Sequence, residues 1–235
     1  MTEGQTNLLH YYASRSYWLE SSMDNLSPRS RLTDEINVDV AILGAGYTGL
    51  WTAYYLLKQN SSLKIVIMDK HIVGFGASGR NAGWCSPKFS ITPERAIERF
   101  GLETAKELQL TMYDAVNEVE RVINHEKMDA DWNKAGFLKV ALRENMLSQL
   151  ETEMSTFRKL GLEEFYQLLN ENQTKERMMA NNLKGGILTK VSAVLHPGKL
   201  VRNLARILEQ RGVTLYEQTE VIDFMEGTSN AFLIS

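Results

Sequence analysis

One ten-residue stretch restricts what this chain can fold into more than any other. Val40-Ala41-Ile42-Leu43 is a short apolar run that leads straight into Gly44-Ala45-Gly46-Tyr47-Thr48-Gly49. Leu50, Ala53, Tyr54 and Leu57 then recur at helical spacing, and a second apolar run follows from Lys64 to Met68. Strand, glycine turn, helix and strand make one βαβ unit. In such a unit the first glycine permits a tight turn, the second lets the backbone approach a pyrophosphate, and the third lets the helix pack close to the strand. The helix N-terminus then offers unpaired N–H groups and the positive end of its dipole to the anion.

Asp69 ends the second apolar run, about 20 residues past the third glycine, where a ribose-binding carboxylate belongs. Its charge would repel the extra 2′-phosphate of NADP, which leaves FAD or NAD. The competing interpretation is an incidental glycine turn beside a surface aspartate. Agreement among strand, glycines, helix and acid argues against it. The loop Gly74-Phe75-Gly76-Ala77-Ser78-Gly79-Arg80-Asn81-Ala82-Gly83-Trp84 separates the two dinucleotides. Its glycines and small residues allow close backbone approach to a large flat ligand, and Ser78, Arg80 and Asn81 add hydrogen-bonding groups. A plain NAD fold requires no such loop.

The 235 residues, 43% hydrophobic and 23% charged, suffice for one sizeable core or two smaller ones. With 26 basic and 29 acidic residues the formal charge is -3, and no basic tract is present to neutralise a run of phosphates, so no nucleic-acid partner is expected. Cys85 is the single cysteine, which excludes an internal disulfide and a cysteine-rich zinc site and fits a reducing compartment. The most apolar window, Val38 to Leu57, is broken by three glycines and reads as strand, turn and helix, not as a membrane span. A cytoplasmic protein with no membrane partner and no metal is expected.

Four stretches divide the chain. Residues 1–35, with Tyr11, Tyr12, Tyr17 and Trp18, read as an arm that packs on a core formed elsewhere. Residues 36–125 carry the first part of the nucleotide-binding domain and end in one long amphipathic helix from Pro93 to Ile123. Residues 126–190 read as an insertion, with a strand over Ala135–Leu142 and a helix over Arg143–Leu160 in which Met146 and Met154 are core. Residues 191–235 return to the first domain through a helix opening at Pro197, a stop at Gly212 and a strand over Val213–Tyr216. The predicted class is α/β, a Rossmann-like domain with an inserted α+β domain.

These residues resemble the FAD-dependent D-amino-acid oxidase and glycine oxidase superfamily. Within it the sequence is similar to the gamma-glutamylputrescine oxidoreductase branch, through Tyr11-Tyr12-Ala13-Ser14, Ser16-Tyr17-Trp18, the Gly44 fingerprint, Gly76-Ala77-Ser78-Gly79-Arg80-Asn81 and His196-Pro197-Gly198-Lys199-Leu200. Many flavoproteins share the fingerprint; its combination with the second loop is more specific. The resemblance implies a glutathione-reductase-type FAD-binding domain with an inserted substrate domain. It also implies a cofactor site made of Gly44, Ala45, Gly46, Thr48, Gly49, Asp69, Lys70, Gly76, Ala77, Ser78, Asn81, Ala82 and Gly83, with the backbone of Val221 against adenine. Some relatives attach the flavin through a histidine in the second loop, where Arg80 and Asn81 stand here, so FAD is expected to be non-covalent.

The implied reaction is hydride transfer to flavin from the amine-bearing carbon of a small-molecule amine or amino acid. No catalytic residue is identified. Arg80 and Trp84 are expected near the flavin face, Cys85 as a small buried side chain, His71 as an exposed loop residue, and His196 as a structural hydrogen-bond partner. Family members are longer, and pieces they carry after the Val221 position are not seen, so the chain is expected to be an N-terminal portion, inactive if it stands alone. Two alternatives stay open: a truncated FAD-binding remnant without turnover, and an NAD-dependent Rossmann enzyme.

Overall fold

The computed structural model describes residues 3–227 and 231–235. In chain order it contains α1 (Glu3–Ser14), α2 (Tyr17–Ser21), β1 (Val40–Leu43), α3 (Tyr47–Gln59), β2 (Ile65–Met68), β3 (Trp84–Cys85), α4 (Pro93–Phe100) and α5 (Leu102–His125). These are followed by β4 (Phe137–Ala141), α6 (Glu144–Lys159), β5 (Tyr166–Asn170), α7 (Glu171–Lys175), β6 (Gly185–Thr189), β7 (Ala193–Val194), α8 (Pro197–Gln210), β8 (Thr214–Tyr216), β9 (Asp223–Glu226) and β10 (Ala231–Ile234). The described residues form two compact units, one from residues up to Gly83 with His125–Asp131 and His196 onward, the other from Trp84–Asn124 and Trp132–Leu195.

The first unit is built on a parallel sheet of order β1-β2-β8, with Val40 opposite Ile65 and Val66 opposite Thr214. β2 lies in the middle and all four of its residues are buried, which is why it reads as a continuous apolar run. α3 covers the sheet with Leu50, Ala53 and Leu57, and α8 with Leu200, Leu204 and Leu208. The residues expected to be an arm are two helices that share this core: Tyr12 and Leu19 are buried with Ile72 and Phe75. Met1 and Thr2 of that stretch lie outside the described residues. His71, expected to be exposed, is half-buried, its ring 4.5 Å from that of Phe75.

The second unit holds an antiparallel sheet of order β4-β6-β5 and the short pair β3-β7. Ile187, Leu150, Met154, Phe157 and Tyr113 form its core, so Met154 is a packing residue, with Met146 against the same cluster. The single long helix predicted from Pro93 is in fact two. Gly101 adopts φ +83 between α4 and α5, a left-handed conformation that ends a helix and that apolar periodicity does not reveal. Residues 84–124, which precede the stretch expected to form an insertion, belong to this second unit, and residues 125–131 to the first. Ala96 of α4 and Ala105 and Tyr113 of α5 pack into the cluster with α6. An amphipathic pattern shows that a helix has an apolar face, not which sheet that face covers.

Two buried polar groups tie the first unit together. Glu217 is completely buried, and its carboxylate accepts from the Arg29 N–H at 2.6 Å, Arg29 Nη1 at 2.8 Å and the Val73 N–H at 2.7 Å. His196 caps α8, Nδ1 accepting from the Lys199 N–H at 3.1 Å, while Nε2 lies 3.1 Å from Ser21 Oγ. Among the described residues no helix is long and apolar enough to cross a membrane, and no group of three or more His, Cys, Asp or Glu is placed to hold a metal.

Glu217→Ala leaves the Val73 and Arg29 N–H groups without their acceptor and the Arg29 guanidinium with Glu209 alone, and should lower unfolding free energy by about 3 kcal/mol in urea titrations. Burial holds His196 below its ordinary 6.5, so the folded protein takes up fewer protons than the unfolded chain. The cap's contribution is therefore full above pH 6.5 and declines as pH falls below it. Thermal midpoints measured from pH 7.5 down to about 5 should show this decline, and His196→Asn, which keeps a capping oxygen but cannot titrate, should flatten it.

Candidate functional site

The N-terminus of α3 is the centre of a cluster of loops within the first unit. Gly44 turns the chain out of β1 with φ +100, a conformation that favours glycine, and its N–H donates to the Met68 carbonyl at 2.8 Å. α3 then begins so close to the turn that a Cβ on Gly49 would lie 2.1 Å from Gly44 O. That distance is far inside van der Waals contact, so only glycine fits. Helix geometry leaves the N–H groups of Tyr47, Thr48 and Gly49 without carbonyl partners inside the helix. Ser78 Oγ accepts from the Tyr47 N–H at 2.9 Å, so the second loop reaches the helix end directly.

Asp69 stands just after β2 and faces the same turn. Its Oδ2 accepts from the Ala45 N–H at 2.8 Å and its Oδ1 from the His71 N–H at 2.8 Å. A carboxylate has about four acceptor positions, so these two bonds fix the group and leave capacity for further donors. The segment after β8 lies alongside: Thr219 N–H donates to Asp69 O at 2.9 Å and Gln218 N–H to His71 O at 3.2 Å. Val221, two residues further on, is half-buried. Lys70 points elsewhere, its Nζ 2.6 Å from Glu220 in an exposed ion pair.

The second loop is held from several directions. Gly74 N–H donates to Ala45 O at 3.1 Å, which ties the loop to the glycine turn. Residues Ala77–Gly79 form one 3-10 turn. Asn81 spends its side chain inside the loop, donating to Ser78 O at 2.9 Å and accepting from the Gly83 N–H at 2.8 Å. Trp18 Nε1 donates to Asn81 O at 2.6 Å and Ser16 Oγ to Gly79 O at 2.5 Å. Gly76, Ala77 and Ala82 are exposed, whereas Gly83 is buried. Arg80 lies over the Phe75 ring, 4.6 Å from its centroid.

Thus Gly44, Ala45, Gly46, Thr48, Gly49, Asp69, Ser78 and the segment before Val221 come together, while the Lys70 side chain is directed to the surface. Trp84 belongs to the second unit, 61% exposed and packed on Phe137. Cys85 is partly buried, and burial pushes its thiol up to about 11, so it stays protonated and is a poor nucleophile near neutral pH. Ser16-Tyr17-Trp18 enters the sequence analysis only as part of the family resemblance, with no role for Ser16 or Trp18 in holding the second loop, and Glu217 does not enter it at all. The signal for Glu217 was an acid directly following the apolar end of β8.

The residues fit a dinucleotide. A Cβ on Gly46 would come within 2.9 Å of Ser78 Oγ, so the space beside the helix N-terminus is bounded by backbone and one hydroxyl, as close approach of a phosphate requires. The family model for FAD dependent oxidoreductase (DAO) matches residues 39–232. Gamma-glutamylputrescine oxidoreductase of Escherichia coli (strain K12) is 26% identical over 213 residues, covering 91% of this chain and 49% of that protein. Probable oxidoreductase OrdL of Haemophilus influenzae is 29% identical over 214 residues, covering 90% and 48%. The chain thus spans about half the length of the curated relatives it matches. Among solved structures, glycine oxidase from Geobacillus kaustophilus superimposes with TM-score 0.63 at 24% identity, covering 83% of this chain and 50% of that one. L-alpha-glycerophosphate oxidase from Mycoplasma pneumoniae with FAD bound gives TM-score 0.67 at 20% identity, covering 85% and 50%. At these identities the solved structures speak for the fold.

Gly49→Ala should destabilise the chain by about 3 kcal/mol, because the obstacle is a backbone carbonyl that cannot swing away. Ser78→Ala removes one acceptor from a helix end and should lose only about 1 kcal/mol. Urea unfolding of both variants, compared by midpoint, checks that order.

Proposed function

The chain belongs to the FAD dependent oxidoreductase family, and from that premise we propose that it carries the FAD-binding part of an enzyme that oxidises a small-molecule amine or amino acid. The observation that supports this most is the joining of the glycine turn to the second loop, through the Tyr47 N–H to Ser78 Oγ bond at 2.9 Å and the Gly74 N–H to Ala45 O bond at 3.1 Å. In this reading the pyrophosphate lies over Gly44, Ala45 and Gly46 and takes the free N–H groups of Thr48 and Gly49, with the α3 dipole adding attraction. Asp69 accepts from the adenosine ribose while its bonds to Ala45 and His71 hold it in position. The backbone near Val221 borders the adenine. Gly76, Ala77, Ser78, Asn81, Ala82 and Gly83 form the wall along the flavin, with the Asn81 side chain keeping that wall rigid. Lys70 contributes through its backbone alone.

When bound, FAD supplies the acceptor for a hydride from the carbon bearing the amine. Binding is non-covalent in this proposal, since neither Arg80 nor Asn81 offers a nucleophile to the flavin. The domain that holds the cofactor corresponds to the first compact unit, and the second unit is the substrate domain. A gamma-glutamylputrescine-like amine is favoured by the likeness to the Escherichia coli relative, whose name states that substrate. The single cysteine is in keeping with work in the cytoplasm.

The test is retention of flavin. Purified chain is incubated with FAD, desalted and scanned between 350 and 500 nm, beside a Gly46→Val variant (wavelengths about those of oxidised flavin). Flavin bands that survive desalting in the parent, disappear on acid precipitation into the supernatant and are missing from the variant are the expected result. Absence of bands from both proteins, or equal retention by both, would count against the assigned cofactor site. NAD retained in place of FAD would move the protein to nicotinamide chemistry.

A further inference from the structure

The helices α1 and α2 precede the residues that the family model matches, yet α2 reaches into the loop read as the flavin wall. Trp18 Nε1 donates to Asn81 O at 2.6 Å, and Ser16 Oγ donates to Gly79 O at 2.5 Å. Ser16 also caps α2 by accepting from the Leu19 N–H at 3.2 Å, so its one proton is committed to the loop. Trp18 is fixed as firmly. A Cβ on Gly198 would stand 2.2 Å from Trp18 O, and the indole meets the His196 ring edge to face with centroids 5.0 Å apart. Leu19, next in the helix, is completely buried. The donor that holds Asn81 therefore stands on a packed base within the first unit.

Holding one carbonyl orients the next amide. A trans peptide is planar, with its C=O and N–H pointing in opposite directions. The Asn81–Ala82 peptide is trans, so with Asn81 O turned to Trp18 the Ala82 N–H points away from α2. Amides on either side are occupied inside the loop: the Arg80 N–H donates to Ala77 O at 3.2 Å and the Gly83 N–H to Asn81 Oδ1 at 2.8 Å. The Ala82 N–H has no acceptor among the described residues, and Ala82 is exposed. A donor fixed in direction and left without a protein partner suits an acceptor on a ligand. Flavin carries such acceptors, carbonyl oxygens and ring nitrogens, along its edge.

We propose that Trp18 is a positioning residue for the flavin: by holding the Asn81 carbonyl it aims the Ala82 N–H at an acceptor atom on the flavin edge. The inference rests on the FAD reading given above and extends the cofactor site to a residue outside the matched family region. The full chain is compared with Trp18→Phe, which keeps an aromatic ring against His196 and deletes the donor, and with Ala82→Pro, which deletes the aimed N–H and leaves Trp18 in place. The FAD dissociation constant, the midpoint potential of the bound flavin, and hydrogen exchange at the Arg80 and Gly83 amides of the FAD-free chain are measured. Trp18→Phe is expected to weaken FAD binding about three- to tenfold, the worth of one hydrogen bond. It should also make the potential more negative, because an N–H donor favours the electron-rich reduced ring, and should speed exchange at both amides. Ala82→Pro should reproduce the shifts in affinity and potential, and the double variant should add nothing to them. A merely structural Trp18 would leave the potential of the retained flavin unmoved. FAD held by parent and Trp18→Phe with equal affinity and potential would overturn the proposal and leave the cofactor site standing. Unchanged exchange at Arg80 and Gly83 would overturn it as well. Failure of the parent to bind FAD would overturn the site assignment and the proposal with it. If Trp18→Phe does not fold, an unchanged potential in Ala82→Pro overturns the proposal and a more negative one supports it.

Discussion

The contact between Gly49 and the carbonyl of Gly44 sets how near α3 can come to the end of β1, and much of the first unit follows from it. A Cβ at that point would stand 2.1 Å from the oxygen. With glycine there, the helix begins directly over the turn, its first N–H groups face the space where β1 and β2 end, and Asp69 comes within 2.8 Å of the Ala45 N–H. The Tyr47 N–H also becomes reachable by Ser78 from a loop some thirty residues on. A helix displaced by the width of a methyl group would lose these bonds together, because each relies on the same backbone position.

Glu217 works as a second organiser, at a different cost. A fully buried carboxylate is expensive unless every acceptor position finds a donor. Here the donors come from Arg29, which precedes β1, and from Val73, which follows β2. One side chain at the end of β8 therefore connects three distant stretches of chain. Arg29 in turn bridges to Glu209 on α8 at 2.6 Å, adding a fourth. The N-terminal helices join the same scheme through Trp18 and Ser16, which hold carbonyls of the second loop. The loop's shape is decided by residues that a reader of the loop alone would not consult.

The second unit obeys different rules. Its antiparallel sheet packs against α6, with residues of α4 and α5 in the same cluster, and its buried polar groups, among them a tyrosine pair, Gln109, Thr156 and Thr174, are uncharged. Glu94 and the Lys139–Glu153 pair line a cavity of about 590 Å³ in this unit.

The apolar runs, the glycine spacing and Asp69 were enough to determine βαβ, the parallel sheet and the location of the glycine turn, because each is a local consequence of backbone sterics and side-chain period. The limits of α6 and β8 fell within a residue of expectation for the same reason. Tertiary structure alone decided the rest. Gly101 divides one apparent helix because a left-handed φ leaves no trace in hydrophobic periodicity. α4 and α5 join the second unit because packing partners depend on three-dimensional position, and Tyr12 and Leu19 enter a core that forms only when α1 and α2 fold onto the loop after β2. Lys70 turns to Glu220, Asn81 closes its own loop, and Glu217 gains its donors through contacts across up to 188 residues of sequence, a reach that no local pattern encodes.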